Sequence, residues 1–259
     1  MAEEYKSFWE HLDDLRSSLL RILAVVGVCA VVSFFFKSTL FEVVLAPRSS
    51  DFVTYRWLLP ASSAPFRIEL VNIELTQQFM IHLKVSLLAG LLVAMPYVVF
   101  ESMRYISPAL YERERRPTIR AVVAGYVMFM LGVVLTYYVL FPFTLRFLGT
   151  YQVDAAVSNV VSITSYVSTL LLLCIVMGVL FEMPVLGWLM ARIGMLRSEP
   201  MSRYRRHAVV VILCLSAVIT PSGDAFTLCL VAVPIYALYE LTILTVKRTE
   251  RHRHKEAIG

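Results

Sequence analysis

The chain has 259 residues, of which 58% are hydrophobic and 17% are charged, and its formal net charge is +5. A typical soluble domain carries roughly 25% charged residues, and a soluble core of this size cannot cover so much apolar surface. The composition therefore excludes an ordinary soluble protein. Because the basic residues lie between apolar runs, the positive charge indicates membrane topology rather than nucleic-acid binding.

Each of the four cysteines lies within an apolar run, and no two of them form a C-x-x-C pair. They are Cys29, Cys174, Cys214 and Cys229. We interpret them as small hydrophobic residues and expect neither disulfides nor a metal site. The glycines are scattered and form no phosphate-binding loop, so no nucleotide cofactor is expected.

Residues 1–18 do not have the composition of a cleavable export signal. They carry five carboxylates, and the apolar run that follows them, Leu19–Phe36, is longer than a signal core. Leu12, Leu15 and Leu19 recur at helical spacing. We therefore expect residues 1–18 to form an amphipathic cytoplasmic segment that lies at the membrane interface.

Six apolar runs are candidates for transmembrane helices, because a span needs roughly 20 apolar residues. In chain order they are Leu19–Phe36, Leu75–Phe100, Val122–Leu140, Val167–Met190, Ala208–Ile219 and Phe226–Val246. The fifth run covers only ~18 Å at ~1.5 Å per residue, against a hydrocarbon core of ~30 Å. The turn Thr220–Asp224 leads directly into the sixth, so the two are expected to form a short hairpin. The sequence predicts an all-α integral membrane protein whose transmembrane domain covers residues 19–246.

The distribution of lysine and arginine predicts the orientation of these helices. Seventeen of the 24 basic residues fall in segments on the same side of the membrane as the N-terminus, and five fall on the opposite side. The other two, Arg21 and Lys84, lie within spans. Cytoplasmic loops carry an excess of lysine and arginine. We therefore expect a multi-pass protein of the cytoplasmic (inner) membrane with both termini in the cytoplasm.

The segments outside the spans differ in character. The loop 37–74 is long and mixed, and Phe66–Val71 alternates as a short strand does, so we expect an ordered cap on the outer face. The tail 247–259 is a basic run. We expect it to be disordered and attracted to anionic lipid headgroups.

Two carboxylates near or within the apolar runs are candidate functional groups. Glu182 lies well inside the fourth run, and Pro184 removes a backbone donor beside it and favours a kink. Charged side chains in hydrocarbon are costly and often functional, although a hydrogen bond between packed helices is the alternative reading. Asp224 follows the turn and is expected to cap the last helix.

The loop between the second and third runs combines carboxylates with many arginines. It extends from Tyr105 to Arg116 and contains Glu112 and Glu114. A positive-inside loop gains no topological benefit from carboxylates. Carboxylates at a membrane surface can accept the arginines of a peptide with bidentate geometry, and the N-terminal segment supplies more of them on the same side.

Four segments of this sequence occur in the order and spacing of one known family. They are His11-Leu12-x-x-Leu15-Arg16, Pro108-Ala109-Leu110-Tyr111 followed by Glu114-Arg115-Arg116, Phe181-Glu182-x-Pro184, and Ile219-Thr220-Pro221-x-x-Asp224 with Pro234-x-Tyr236 downstream. In these segments the chain resembles the TatC subunits of the twin-arginine translocase over about residues 8–246.

The resemblance implies a fold and a function that composition does not give. The implied fold is a cup-shaped bundle of six helices with a short fifth and sixth helix. The implied protein is not an enzyme and needs no cofactor. It binds signal peptides with consecutive arginines, self-associates, and works in the lipid bilayer with single-span partners of the TatA and TatB type. Folded proteins then cross the membrane, driven by the proton motive force.

The resemblance also implies residue roles at the signal-peptide site. Glu114 matches the family carboxylate that receives the signal arginines, and Asp14 falls where the family usually has glutamate. Tyr105 matches an aromatic position beside that site. Leu12 and Arg115 belong to the same motifs and are assigned to the same site. Asp14 is one methylene shorter than glutamate, which places its reach to an arginine in question.

A second set of roles concerns the membrane interior and the partners. Glu182 matches an intramembrane glutamate on the concave face of the bundle. Asp224 matches an acidic residue at the start of the last helix, where partner spans dock. Pro221 and Pro234 belong to the same motif. Leu228 departs from the family pattern, since many relatives have glutamine there.

Two other classes of protein are open on the residues alone. A small secondary transporter would use Glu182 as a proton or ion site. A membrane-embedded lipid enzyme would need a polar catalytic cluster at one interface. Neither explains the arginine-rich loop together with the Thr220–Asp224 turn.

Overall fold

A computed structural model describes residues 8–58, 68–106, 115–151, 154, 160–220 and 223–256. Nearly all of the described chain is helical. In chain order the elements are α1 (Phe8–Phe34), α2 (Lys37–Leu45), a 3₁₀ turn (Ala46–Arg48), α3 (Val53–Leu58), β1 (Leu70–Val71), α4 (Gln77–Ile106), α5 (Arg115–Leu135), a π-helical segment (Thr136–Leu140), α6 (Phe141–Thr150), β2 (Val161–Ser162), α7 (Ile163–Phe181), α8 (Met183–Arg192), α9 (Ser198–Arg203), α10 (Arg205–Ile219) and α11 (Ala225–Glu256).

Within the described residues, five helical stretches are long and apolar enough to cross a membrane. They are Leu12–Phe34, Gln77–Tyr105, Ala121–Thr150, Ile163–Arg192 and Ala225–His252. The predicted fifth span corresponds to α10, which begins at Arg205 and has 15 residues. That length gives about 22 Å, still below the ~30 Å of the hydrocarbon core. A crossing of the membrane by α10 therefore stays a prediction.

The bundle has a terminal end and a cap end. The terminal end is the one at which α1 begins, α4 ends, α5 begins and α11 ends. The cap end carries α2, α3 and β1. Helices α1 and α4 run antiparallel, since Arg21 contacts Glu101 near the terminal end, and Phe34 stacks on His82 near the cap end.

Helix α1 packs against the bundle almost entirely through α4. At their crossing the two backbones come so close that a Cβ on Gly90 would lie 2.4 Å from the amide nitrogen of Ala30. Small residues permit such an approach between helices in a membrane. The other faces of α1 carry large exposed hydrophobic side chains, so they are available to lipid or to another helix.

The N-terminal segment is not a separate helix. The position of this segment at the membrane interface stays a prediction, and residues 8–18 continue into the first span as the single helix α1. The reason is local, because the sequence between Phe8 and Val26 contains neither glycine nor proline to end a helix. Leu12 and Leu15 are exposed, as expected for residues at the membrane surface.

The third and fourth predicted spans differ from the observed helices at one point each. The third continues through the π-helical segment and α6 to Thr150, so Arg146 lies in a helix rather than in the predicted outer loop. The fourth is interrupted at Glu182, between α7 and α8. The irregularity predicted at Pro184 is present, because proline has no backbone donor to continue the α7 ladder.

The sixth helix is long, and the prediction that it is short is wrong. Helix α11 has 32 residues and continues to Glu256, so the tail predicted to be disordered is helical to that residue. Between Lys247 and Glu256 there is no glycine or proline. The carboxylate of Glu250 also accepts hydrogen bonds from the backbone nitrogen of Ser198, at 3.1 Å, and from its hydroxyl. The hydropathy of a span says nothing about how far its helix continues into water.

The predicted cap is ordered over its described residues. Strand β1 pairs in parallel with β2, Leu70 opposite Val161, which confirms the expected strand at its C-terminal part, while Phe66 lies outside the described residues. Three tyrosine hydroxyls donate to main-chain carbonyls around the cap: Tyr55 to Pro47 and Pro142, Tyr137 to Val43, and Tyr166 to Val44. Burial raises the pKa of Tyr55, so its hydroxyl keeps the proton that it donates.

The core of the bundle is built around α7. Its residues Val167, Leu173 and Met177 are fully buried, and they pack with apolar residues of α4, α6 and α11. A helix that is apolar on all sides suits a position inside a membrane bundle. Helix α1, α10 and the lipid-facing sides of α4 and α5 therefore form the outer surface.

Candidate functional site

The residues predicted for signal-peptide binding lie at the terminal end of the bundle. Leu12 and Asp14 are exposed on the first turns of α1, and Tyr105 is half-buried at the last turn of α4. Arg115 is the first residue of α5, and Glu114, which precedes it in sequence, lies outside the described residues. The described members of this set, Leu12, Asp14, Tyr105 and Arg115, therefore lie at the same end of the bundle.

A buried ion pair close to this face was not predicted. Glu101 lies on α4 one turn before Tyr105, and its side chain is 0% exposed. Arg21 Nη1 donates to Glu101 Oε1 at 3.0 Å, and Nη2 of the same arginine donates to the hydroxyl of Ser17 at 2.6 Å. The guanidinium of Arg104 lies on the other carboxylate oxygen, with Nη1 3.4 Å from Oε2.

The sequence contains two features that point to the Arg21–Glu101 ion pair. Arg21 is a charge inside an apolar run, and Glu101 is the first residue after another run. A charge within a span is costly unless it is paired, so an arginine in one span calls for a carboxylate on a neighbouring helix. Which carboxylate it pairs with depends on the antiparallel register of α1 and α4, which the sequence does not give.

Glu182 sits in the interior, at the break between α7 and α8. Its Oε1 is buried and has no hydrogen-bond partner among the described residues. It faces α5 at Gly125, where an added Cβ would lie 3.0 Å from Oε2. Gly125 is ten residues into α5 from Arg115, which places the carboxylate about 15 Å deeper than the terminal end at ~1.5 Å per residue.

Asp224 caps the last helix, as predicted. Its Oδ1 accepts a hydrogen bond from the backbone nitrogen of Thr227 at 2.7 Å. It lies at the cap end of the bundle, opposite to the predicted signal-binding residues. Pro221 lies outside the described residues.

Pro234 lines an apolar groove between α5 and α11. The groove has a volume of about 450 Å³, and it is lined by Leu135, Val139, Leu140, Phe226, Cys229, Leu230, Val233 and Pro234. A second apolar groove of about 290 Å³ lies between α10 and α11, and Cys229 and Val233 line both grooves. Near the terminal end, α10 is held to α11 by an ion pair in which Arg205 Nη2 lies 2.8 Å from Glu240 Oε2. Helix α11 thus lines two adjoining apolar grooves.

The comparison with protein families decides what these features belong to. The family model described as Sec-independent protein translocase protein (TatC) matches residues 10–234. The chain belongs to the TatC family. The resemblance read from the four sequence segments is therefore confirmed, and the family is that of a protein translocase subunit.

The likeness to individual TatC proteins extends over nearly the whole chain. The TatC protein of Aquifex aeolicus is 28% identical over 245 residues, which cover 94% of this chain and 96% of that protein. The TatC protein of Deinococcus radiodurans is 30% identical over 236 residues, which cover 91% and 84%. A crystal structure of a twin-arginine translocase receptor TatC matches with a TM-score of 0.77 at 28% identity, covering 93% of this chain and 99% of that chain. The predicted fold class, an all-α membrane protein, is confirmed.

Proposed function

We propose that this chain is the receptor subunit of a twin-arginine translocase. In this proposal it binds signal peptides with consecutive arginines and, with TatA- and TatB-type partners, transports folded proteins across the membrane using the proton motive force. One observation carries the proposal in a chain of this family. Helix α1 begins, α4 ends and α5 begins at the terminal end, so Asp14, Tyr105 and Arg115 all lie at this end of the bundle.

The orientation follows from the positive-inside rule. The segments at the terminal end contain most of the lysines and arginines, so this end faces the cytoplasm in the proposal. Both termini then lie in the cytoplasm, and the chain is a multi-pass protein of the inner membrane. A signal peptide that leaves the ribosome meets the face that carries the predicted site.

The energetics divide the recognition between charge and apolar contact. An exposed ion pair contributes at most about 1 kcal/mol, because water and salt screen it. Bidentate geometry and partial burial strengthen an arginine–carboxylate pair. The arginines therefore supply specificity, and the apolar segment of the signal supplies much of the affinity by packing against the bundle or lipid.

We propose the two grooves beside α11 as the surfaces for the single-span partners. Both grooves are apolar and are lined by residues of a membrane helix, which suits the side of another helix. Asp224 lies at the cap end of α11, near the start of the first groove at Phe226. A polar residue of a partner helix at the depth of Phe226 would lie near the carboxylate of Asp224, in the turn between α10 and α11.

The short α10 has a mechanical role in this proposal. A helix of about 22 Å thins the bilayer beside it or needs shelter from lipid. Thinner bilayer lowers the barrier for a bulky cargo. Insertion of four apolar residues into α10 is expected to impair transport, and unimpaired transport would refute this role.

The first experiment measures binding of a signal peptide to the detergent-solubilised protein. A peptide with Arg-Arg is compared with the same peptide with Lys-Lys, on wild type, Glu114→Ala and Glu112→Ala. Glu112 is the matched control, since it lies two residues away and removes the same charge. We expect the Arg-Arg peptide alone to be retained, and Glu114→Ala alone to weaken it. Equal retention of both peptides by folded wild type would overturn the proposal.

A further inference from the structure

The carboxylate of Glu101 is buried near the terminal end, and it is shared by two arginines that differ in how firmly they are held. Arg21 is fixed at two points, because it donates to Glu101 Oε1 and to the hydroxyl of Ser17. Arg104 forms one ion pair within the described residues, with Nη1 3.4 Å from Oε2, and its side chain is 54% exposed. The two guanidinium groups are therefore not equivalent.

The two oxygens of this carboxylate are not equivalent either. Oε1 accepts a hydrogen bond from Arg21 at 3.0 Å. Oε2 is buried and accepts no hydrogen bond from the described residues, since the nearby guanidinium of Arg104 offers charge without hydrogen-bond geometry. A buried acceptor without a donor is unfavourable, and a better-placed donor gains the full benefit of that oxygen.

The location of Oε2 suits a ligand that arrives from the terminal end. Glu101 precedes Tyr105 by one helical turn, and Arg104 lies on the solvent side of the carboxylate, in the last turn of α4. Arg104 has a long flexible side chain, so it can turn out to water at little cost in strain. Its departure opens Oε2 to another guanidinium.

We propose that Glu101 Oε2 accepts one guanidinium of the arginine pair of the signal peptide, and that Arg104 holds this position only in the empty receptor. The inference rests on the proposed function. Two adjacent arginines gain from more than one carboxylate, and Glu101 adds a buried one to the two predicted from the sequence, Glu114 and Asp14. A planar guanidinium fits between Oε2 and the vacated space and donates through a fork, whereas the compact, strongly hydrated ammonium of lysine offers no such fork.

The proposal predicts opposite changes in peptide affinity for substitutions of Arg104 and of Glu101. Removal of Arg104 removes a competitor, so binding of the Arg-Arg peptide tightens. Removal of the Glu101 charge removes the acceptor, so binding weakens. A purely structural ion pair predicts no gain of affinity from Arg104→Gln, because that change only loses a contact.

The test titrates a fluorescent Arg-Arg signal peptide into the full-length protein in nanodiscs. The control for net charge is Arg203→Gln, which removes an exposed arginine from the last turn of α9 at the same end. We expect Arg104→Gln to bind about fivefold more tightly than wild type, which corresponds to one displaced ion pair of ordinary strength. We expect Arg203→Gln to stay within about twofold of wild type. A gain for Arg104→Gln no larger than that of Arg203→Gln overturns the inference.

A second pair of variants tests the contact with Glu101. Glu101→Gln is expected to weaken the peptide by about tenfold, the loss of one partly buried charged hydrogen bond. In the Glu101→Gln background, Arg104→Gln is expected to have no effect on peptide affinity. The carboxylate oxygen for which Arg104 and the peptide compete is already gone in that background. An undiminished gain from Arg104→Gln in that background refutes the inference. If Glu101→Gln does not fold, the peptide affinities of Arg104→Gln and Arg203→Gln still test the inference.

Failure of this inference is distinguishable from failure of the proposed function. Wild type that binds the Arg-Arg peptide and loses it on Glu114→Ala, without a gain from Arg104→Gln, refutes only the role of Glu101. Folded wild type that binds no Arg-Arg peptide refutes the proposed function and this inference with it.

Discussion

The close crossing of α1 and α4 at Gly90 makes a sharp prediction for Gly90→Ala. The added Cβ would lie 2.4 Å from the nitrogen of Ala30, 2.5 Å from its Cα and 2.8 Å from its Cβ. All three are atoms of α1 that no side-chain rotation can move. Ordinary contacts begin near 3.5 Å, so the two helices must separate by about 1 Å at this point.

The size of the effect follows from overpacking and helix propensity. Overpacking a close contact costs about 1–3 kcal/mol. Alanine is also a better helix former than glycine by about 1 kcal/mol, and this gain offsets part of the loss. Gly27→Ala on α1 is the matched control, because an added Cβ there meets nothing within 4 Å. The difference between the two variants cancels the propensity and isolates the overpacking.

The assay is thermal unfolding of the purified protein in one detergent, followed as the fraction that stays monodisperse after heating. For a chain of 150–250 residues, 1 kcal/mol shifts the melting temperature by about 2–4 °C, so Gly90→Ala should melt roughly 2–12 °C below Gly27→Ala. Equal melting temperatures would show that α1 is not held at this crossing. The account of the α1–α4 interface would then be wrong.

Variants at three further positions test two predicted sites and one contact seen in the structure. Glu182→Leu removes a buried oxygen without a partner, an arrangement that costs about 1–3 kcal/mol, so the melting temperature should not fall, while transport of a reporter should. Unchanged transport would leave Glu182 without a functional role. Asp224→Ala should lose about 1 kcal/mol of capping, and Asp224→Asn should keep the cap. If Asp224→Asn is stable but blocks transport, the charge is functional; if it transports normally, capping is the whole role. Glu250→Ala should speed hydrogen exchange in the last turns of α11, since it releases Ser198, whereas Lys247→Ala should not.

The sequence predicted the membrane-facing parts of the fold and missed the polar extensions of the helices. Hydrocarbon requires a run of about 20 apolar residues, and this requirement marks each long span in the sequence. The same requirement ends at the headgroups, where helices continue until a breaker or a cap stops them. For this reason α11 is longer than predicted, the third predicted span continues through α6, and α1 begins well before its apolar run.

The candidate sites divide in the same way. Asp224 was predicted as a cap from its neighbours in sequence, because capping is a local interaction, and the structure confirms it. Glu101 was missed because its partner Arg21 is 80 residues away. Either charge alone is explained by snorkelling to an interface, so only the register of two helices reveals the pair. The roles of Glu114 and Asp14 stay predictions, since they concern a peptide.

The hydrogen bonds that hold the cap depend on the side chain of the donor residue but not on that of the acceptor residue. Tyr55, Tyr137 and Tyr166 each donate from a hydroxyl, but the oxygen that accepts is a main-chain carbonyl. Every amino acid supplies that carbonyl, so these hydrogen bonds do not depend on the side chain at the accepting position. They do depend on the side chain at the donating position, because even phenylalanine removes the hydroxyl that makes each bond. A cap of this kind can exchange much of its surface over generations while three fixed rings keep it in place.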